Sequence, residues 1–202
     1  SSYLLDKFIT YLNKCGVNSS IVFTKIDMLD DNELKTIQAY ASYYQKIGYK
    51  TYLTSSLNPD SYALLKKDIE FKKCAFSGQT GAGKSTLINS LDPSFNRDIG
   101  EYSKALGRGK HQTKEVVLLP FQGGYIGDTP GFSSLDLNLI GLKKRDVYQY
   151  FPGFERYLGK CFFNDCTHIN ERDCEVKKAV DNGEISLEAY QNYLKLVDEV
   201  IS

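Results

Sequence analysis

The chain has 202 residues, 42% of them hydrophobic, enough to bury one good core with a small satellite beside it. Lys plus Arg and Asp plus Glu both number 25, so bulk charge excludes a partner held by net charge alone, and any polyanion must be met by local patches. No apolar run approaches the roughly 18 residues of a membrane span, and no signal-peptide profile opens the sequence, so a cytoplasmic protein without a membrane partner is expected.

Ser1 to Lys14 places Leu4, Leu5, Phe8, Ile9 and Leu12 on one helical face, with Ser1 and Ser2 as caps and Gly16 as a stop. A domain rarely opens on a packed helix, so the native chain is expected to extend upstream. Ser20 to Phe23 reads as a buried strand that ends in Thr24-Lys25-Ile26-Asp27. GTPases carry [NT]-K-x-D at a strand end. There the Asp accepts two hydrogen bonds from the guanine N1 and N2 edge, a donor pair that adenine does not offer. Asp27 is therefore the candidate base-specificity residue, and Lys25 is expected to pack over the base and the phosphate loop. Chance supplies such a tetrapeptide in about 6% of chains this long, so a polar strand exit competes with this reading.

Glu33 to Lys46 has helical spacing in Leu34, Ile37, Ala41, Tyr44 and Ile47, with Gly48 placed to end it. Tyr49 to Leu53 reads as the next strand. Thr54-Ser55-Ser56 after it resembles the loop whose N–H meets guanine O6, although an ordinary helix cap would read the same. A short helix over Ser61 to Lys67 leads to the apolar run Cys74-Ala75-Phe76.

Next comes Gly78-Gln79-Thr80-Gly81-Ala82-Gly83-Lys84-Ser85, a match to G-x-x-x-x-G-K-[ST] followed by the helical Thr86-Leu87-Ile88-Asn89-Ser90-Leu91. Glycines let successive N–H groups point at a phosphate, and the following helix N-terminus adds to the attraction. Lys84 would reach the β- and γ-phosphates and Ser85 would hold Mg²⁺. The pattern arises by chance in roughly one chain in 150 of this length.

Asp92 to Gln112 is polar and reads as a long loop. From Arg97 to Lys114, the basic Arg97, Lys104, Arg108, Lys110 and Lys114 face only Asp98 and Glu101, a local positive excess that suits phosphate or RNA. Val116 to Leu119 and Gly124 to Gly127 read as a hairpin ending in Asp128-Thr129-Pro130-Gly131. A D-x-x-G at a strand end downstream of a phosphate loop lets the Asp hold Mg²⁺ through water and the Gly N–H sense the γ-phosphate. Leu139 to Tyr150 is predicted to close the nucleotide domain as a helix.

Cys161-x₄-Cys166-x-His168-x₅-Cys174 then gathers four soft or borderline ligands, enough to close a structural tetrahedral site around one Zn²⁺. Buried cysteines in a small core, or a disulfide, are the bland alternatives. Helices are predicted over Glu175 to Asn182 and, capped by Ser186, over Leu187 to Ile201. The second carries the stripe Leu187, Tyr190, Leu194, Val197 and Ile201. From Phe151 onward six Lys and Arg stand against ten Asp and Glu, so RNA contact by this tail would need Lys177, Lys178 or exposed aromatics.

The order of motifs is base-specificity loop, phosphate loop, threonine region and D-x-x-G, whereas ordinary GTPases place the base-specificity loop last. The set is rotated, as a circular permutation allows when domain termini lie close together. In this order and in IVFTKID, YLTSS, GRGKHQT (Gly107 to Thr113), DTPGFSSL and Cys161 to Ile185, the chain resembles the ribosome small-subunit-dependent GTPase A family (RsgA, also called YjeQ). The resemblance implies an α/β P-loop GTPase domain, 1–150, with a mainly parallel sheet in permuted order. A zinc-binding helical domain, 151–202, would follow it.

The resemblance further implies GTP hydrolysis to GDP in maturation of the small ribosomal subunit, with that subunit and its rRNA as partners of a monomer. The family's oligonucleotide-binding barrel and one interior strand, expected before Ser1, are not in the sequence. In the family pattern His111 is catalytic. At the usual water-orienting position after D-x-x-G stands Phe132, which cannot orient water, and His111 in the charged loop is the best polar candidate. Thr113 is the expected switch ligand of Mg²⁺, with Gln112 where the family commonly has a first threonine. Two other readings stay open: a nucleotide-dependent RNA-binding module with vestigial hydrolysis, and an ATPase or kinase built on the same phosphate loop.

Overall fold

The computed structural model describes residues 1–95, 117–129 and 135–200. Helix α1 (Ser2–Lys14) stops where the glycine demands it: Gly16 is left-handed at φ 68°, and the N–H groups of Gly16 and Val17 close on the carbonyls of Asn13 and Leu12 at 3.0 and 2.9 Å. Strand β1 (Ser20–Phe23) leads into a 3₁₀ turn, Ile26–Met28, that carries Asp27. Helix α2 (Asp31–Lys46) begins two residues before the predicted Glu33. Asp30 Oδ1 accepts from the N–H groups of Asn32 and Glu33 at 2.8 and 2.9 Å, and Glu33 Oε2 accepts from Asp30 N at 3.0 Å, a reciprocal cap.

After β2 (Lys50–Leu53) come the 3₁₀ turn Pro59–Tyr62 and α3 (Ala63–Ile69), then β3 (Lys73–Phe76), α4 (Lys84–Leu91), β4 (Val117–Phe121) and β5 (Gly124–Asp128). β4 and β5 form the predicted hairpin, turning on Gln122 and Gly123, both at positive φ. β3 pairs with β5 in parallel, from Lys73 opposite Tyr125 to Phe76 opposite Asp128, while β4 pairs with β5 antiparallel. This register brings the phosphate-loop strand and the D-x-x-G strand to the same end side by side. Among the described residues the strands form two sheets, β1–β2 and β3–β5–β4, so β1 and β3 each lie at a sheet edge.

Two predicted features are corrected. Leu139 to Tyr150 is not one helix but the 3₁₀ turns Leu137–Ile140 and Lys144–Gln149, separated where Gly141 takes a left-handed conformation at φ 65°. The first turn is capped by Asp136, whose side chain accepts from Asn138 N at 2.9 Å. Helices α5 (Glu175–Asp181) and α6 (Leu187–Glu199) form as predicted, and Ser186 Oγ caps α6 by accepting from Ala189 N at 3.1 Å. The buried face of α6, however, is Ala189, Asn192, Tyr193, Leu196 and Val197, while Leu187 is exposed.

The chain divides into two compact units. One comprises 1–20, 43–50 and 135–202 and is built on a core that includes Val147, Phe151, Phe154, Val176, Tyr193 and Leu196. The other comprises 21–42 and 51–134, with a core that includes Tyr52, Leu65, Leu87, Ile88, Leu119 and Ile126. Compactness thus groups residues from both sides of position 150.

Candidate nucleotide site and metal centre

The phosphate loop leaves β3 and enters α4 through Gly81 and Gly83, both left-handed at φ 81° and 84°. Lys84 folds back across the loop, its Nζ donating to the carbonyls of Gly78 at 2.9 Å and Gln79 at 3.3 Å. That position lets it exchange carbonyl partners for phosphate oxygens. Gln79, Thr80, Ala82, Ser85 and Thr86 present exposed faces around the loop and the first turn of α4.

The T-K-x-D segment is strapped to this loop. Thr24 Oγ1 donates to Ala82 O at 2.7 Å and Lys25 Nζ donates to Gly81 O at 2.8 Å. The fit is close: a Cβ on Gly83 would stand 3.5 Å from Lys25 Cε and 3.6 Å from Thr24 Oγ1. Lys25 adopts φ 59°, uncommon for a residue with a side chain, and this turns the chain so that Asp27 stands exposed in the following 3₁₀ turn.

Thr54-Ser55-Ser56 meets the same segment. Thr54 is buried, its N–H and hydroxyl donating to Phe23 O at 2.8 and 3.2 Å, and its carbonyl accepts from Ile26 N at 3.3 Å. Ser55 Oγ donates to Asp27 Oδ1 and accepts from Leu57 N at 3.1 Å, while Ser55 N donates to Ser61 Oγ at 3.1 Å. Ser56 is exposed. A carboxylate with one oxygen held by Ser55 is a fixed acceptor, which is what recognition of a paired N–H edge requires.

Asp128 ends β5 with its backbone opposite Phe76. Thr129 Oγ1 donates to Phe76 O at 2.7 Å and ties the two strand ends together, a role that nothing in the D-x-x-G pattern signals. Of the other predicted residues, His111, Gln112, Thr113, Gly131 and Phe132 lie outside the described residues.

The cysteine cluster closes as its spacing predicted. His168 Nδ1 lies 3.5, 3.4 and 3.3 Å from the Sγ atoms of Cys161, Cys166 and Cys174, and all four ligand atoms lie within 4.8 Å of one another. Tetrahedral Zn²⁺ with ordinary Zn–S and Zn–N bonds sets the N···S separation at about 3.5 Å, close to the three that His168 makes, so the donor set fits the ion. Burial lowers the His168 pKa, favouring the neutral imidazole a metal needs, although the Glu171 charge opposes this. Burial pushes the Cys166 thiol up to about 12, so a cation is what makes its thiolate tenable.

Sequence reasoning missed the supports of this centre. Glu171 accepts from Thr167 N and Oγ1 at 2.8 and 2.7 Å with one oxygen and from Ile169 N at 2.9 Å with the other. Burial raises its pKa, but the hydrogen bonds from Thr167 and Ile169 outweigh this and bring it down to about 2. From the other side Tyr190 Oη donates to His168 O at 2.8 Å and Tyr193 Oη donates to Thr167 O. No spacing rule links these residues to the ligands.

A family model described as RsgA GTPase matches residues 1–138. The "Small ribosomal subunit biogenesis GTPase RsgA" of Halalkalibacterium halodurans is 40% identical over 200 residues, covering 99% of this chain and 67% of that protein. The protein of the same name from Bacillus subtilis is 39% identical over 201 residues, covering 99% and 67%. The chain thus spans about two thirds of the length of these relatives. Among solved structures, YjeQ from Thermotoga maritima superposes with a TM-score of 0.78 at 31% identity, covering 98% of this chain and 66% of that one. YloQ, described as a circularly permuted GTPase, gives 0.78 at 34% identity, covering 98% and 62%. With the permuted motif order, the strapped phosphate loop and these matches in hand, the chain belongs to the RsgA GTPase family.

Proposed function

We propose that the chain binds GTP with Mg²⁺ and hydrolyses it to GDP in the maturation of the small ribosomal subunit, with 1–150 as the GTPase domain and 151–202 as the zinc domain. The observation that carries the guanine reading is the strap: Thr24 and Lys25 bond to the backbone of the phosphate loop while Asp27 is held by Ser55, so base and phosphate recognition share one rigid assembly. The small subunit and its rRNA come to this chain from the names of its relatives. A cytoplasmic monomer fits that role, and none of the described helices is long and apolar enough to cross a membrane.

In this reading Asp27 accepts from guanine N1–H and N2–H, the Thr54-Ser55-Ser56 loop borders the base, and the N–H of the exposed Ser56 is offered to O6. The backbone N–H groups from Gly78 to Ser85, with Thr86, cradle the phosphates, and Lys84 neutralises charge on the β- and γ-phosphates. The hydroxyls of Ser85 and Thr113 and the carboxylate of Asp128 are the oxygen donors suited to Mg²⁺, which supplies further neutralisation when bound. Gly131 senses the γ-phosphate. His111 orients the attacking water, the task that Phe132 cannot perform. Cys161, Cys166, His168 and Cys174 hold one structural Zn²⁺.

Competition between GTP and ATP for a fluorescent guanine nucleotide tests the base assignment. GTP is expected to bind at least about 100-fold tighter, with Asp27→Asn removing most of the preference by loss of about 3 kcal/mol of charged hydrogen bonding. Equal binding of both nucleotides by the parent, or an unchanged preference in Asp27→Asn, would overturn it.

A further inference from the structure

A metal-bound histidine usually donates its second ring N–H to a carboxylate, carbonyl or water, and that bond sets the orientation of the ring. His168 departs from this rule. The residue is 2% exposed, and its Nε2 has no hydrogen-bond partner among the described residues. Tyr148 and Phe154 flank the ring edge-on, at centroid distances of 5.1 and 5.8 Å. Among the described residues no polar group orients the imidazole through its own second nitrogen. The residue also sits at φ 63°, a left-handed conformation uncommon for a residue with a side chain.

Two sets of polar groups hold it. Glu171 fixes the N–H groups of Thr167 and Ile169, the residues on either side of His168, and the hydroxyls of Tyr190 and Tyr193 fix the carbonyls of His168 and Thr167. Tyr190 and Tyr193 belong to α6, and the same helix reaches α1. Asn192 Nδ2 donates to Asp6 Oδ2 at 2.7 Å, and Lys7 pairs with Glu199 at 2.6 Å.

We infer that Glu171, Tyr190 and Tyr193 are positioning residues for the metal loop, and that through them an ion on the four ligands locks helix α6 and, by way of Asn192 and Asp6, helix α1. This rests on the reading of the cluster as a Zn²⁺ site. Orientation supplied elsewhere by a bond to the ring is supplied here by a clamp on the backbone. The metal's binding energy is thereby coupled to the docking of two helices that carry no ligand.

Zinc transfer from the purified full chain to a chromophoric chelator, together with amide hydrogen exchange before and after chelation, tests the inference. Glu171→Gln is expected to weaken Zn²⁺ binding about 10- to 100-fold, and Tyr193→Phe to weaken it in the same direction without removing a buried ring. Chelation of the parent is expected to speed exchange at 167–169, in α6 and in α1, and to leave β3 and β5 of the other compact unit protected. If the parent binds Zn²⁺ and both variants bind it as tightly, the positioning roles fail while the zinc reading stands. If chelation leaves α1 and α6 as protected as before, the locking fails. A parent that binds no Zn²⁺ overturns both.

Discussion

Asp6 is a carboxylate 1% exposed, receiving hydrogen bonds from Tyr44 Oη and Asn192 Nδ2, each at 2.7 Å. Burial raises its pKa from 3.8 to about 6, against the pull of those two donors, which favour the ion. The folded state therefore holds this proton more tightly than the unfolded chain. Its stabilising contribution is complete below about pH 4 and is lost as pH rises through about 6, a span worth about 3 kcal/mol. Urea unfolding of the parent and Asp6→Asn between pH 4 and 7 should show the parent losing about that much relative to the variant; a difference independent of pH would contradict this. At this scale the sequence was legible where chemistry follows spacing. The four candidate metal ligands and the T-K-x-D and G-x-x-x-x-G-K-S residues stood out because each pattern is short and its residue types are few. Glu171, Thr129 and the pairing of Ser55 with Asp27 did not, because each depends on a fold that brings separate turns together.

Helix α6 shows what periodicity carries and what it does not. Its existence and its Ser186 cap were readable, but the predicted stripe selected Leu187, Tyr190, Leu194, Val197 and Ile201, whereas the buried face is Ala189, Asn192, Tyr193, Leu196 and Val197, with Tyr190 and Leu194 partly buried beside it, Leu187 exposed and Ile201 outside the described residues. Hydropathy ranks Asn192 as a surface residue; its bond to Asp6 makes it a core residue. Tyr190 and Tyr193 likewise serve through hydroxyls that a count of apolar positions ignores. The corrected face predicts unequal costs. Leu196→Ala should destabilise the chain by about 3 kcal/mol in urea unfolding, and Leu187→Ala, at an exposed position, by no more than about 0.5 kcal/mol. Equal effects would return the predicted stripe. The segment from Leu137 to Gln149 failed for another reason, since its apolar spacing suits a helix but Gly141 breaks it into two 3₁₀ turns.

At the scale of the whole molecule, the order of motifs along the chain was legible and identified the rotated arrangement, because it needs only sequence positions. The division into compact units was not, because residues 1–20 and 43–50 join 135–202 through long-range packing that local patterns do not encode. The candidate nucleotide residues among those described all fall in one unit and the candidate metal ligands in the other, so the proposed base recognition and metal centre can be perturbed separately. The most direct test of the proposed function is the rate of GTP hydrolysis with and without purified small ribosomal subunits, for the parent and for His111→Ala. Small subunits are expected to accelerate the parent on GTP and not on ATP, and His111→Ala to lower the accelerated rate about 100-fold. A parent rate unchanged by small subunits, or a His111→Ala rate equal to the parent's, would contradict it.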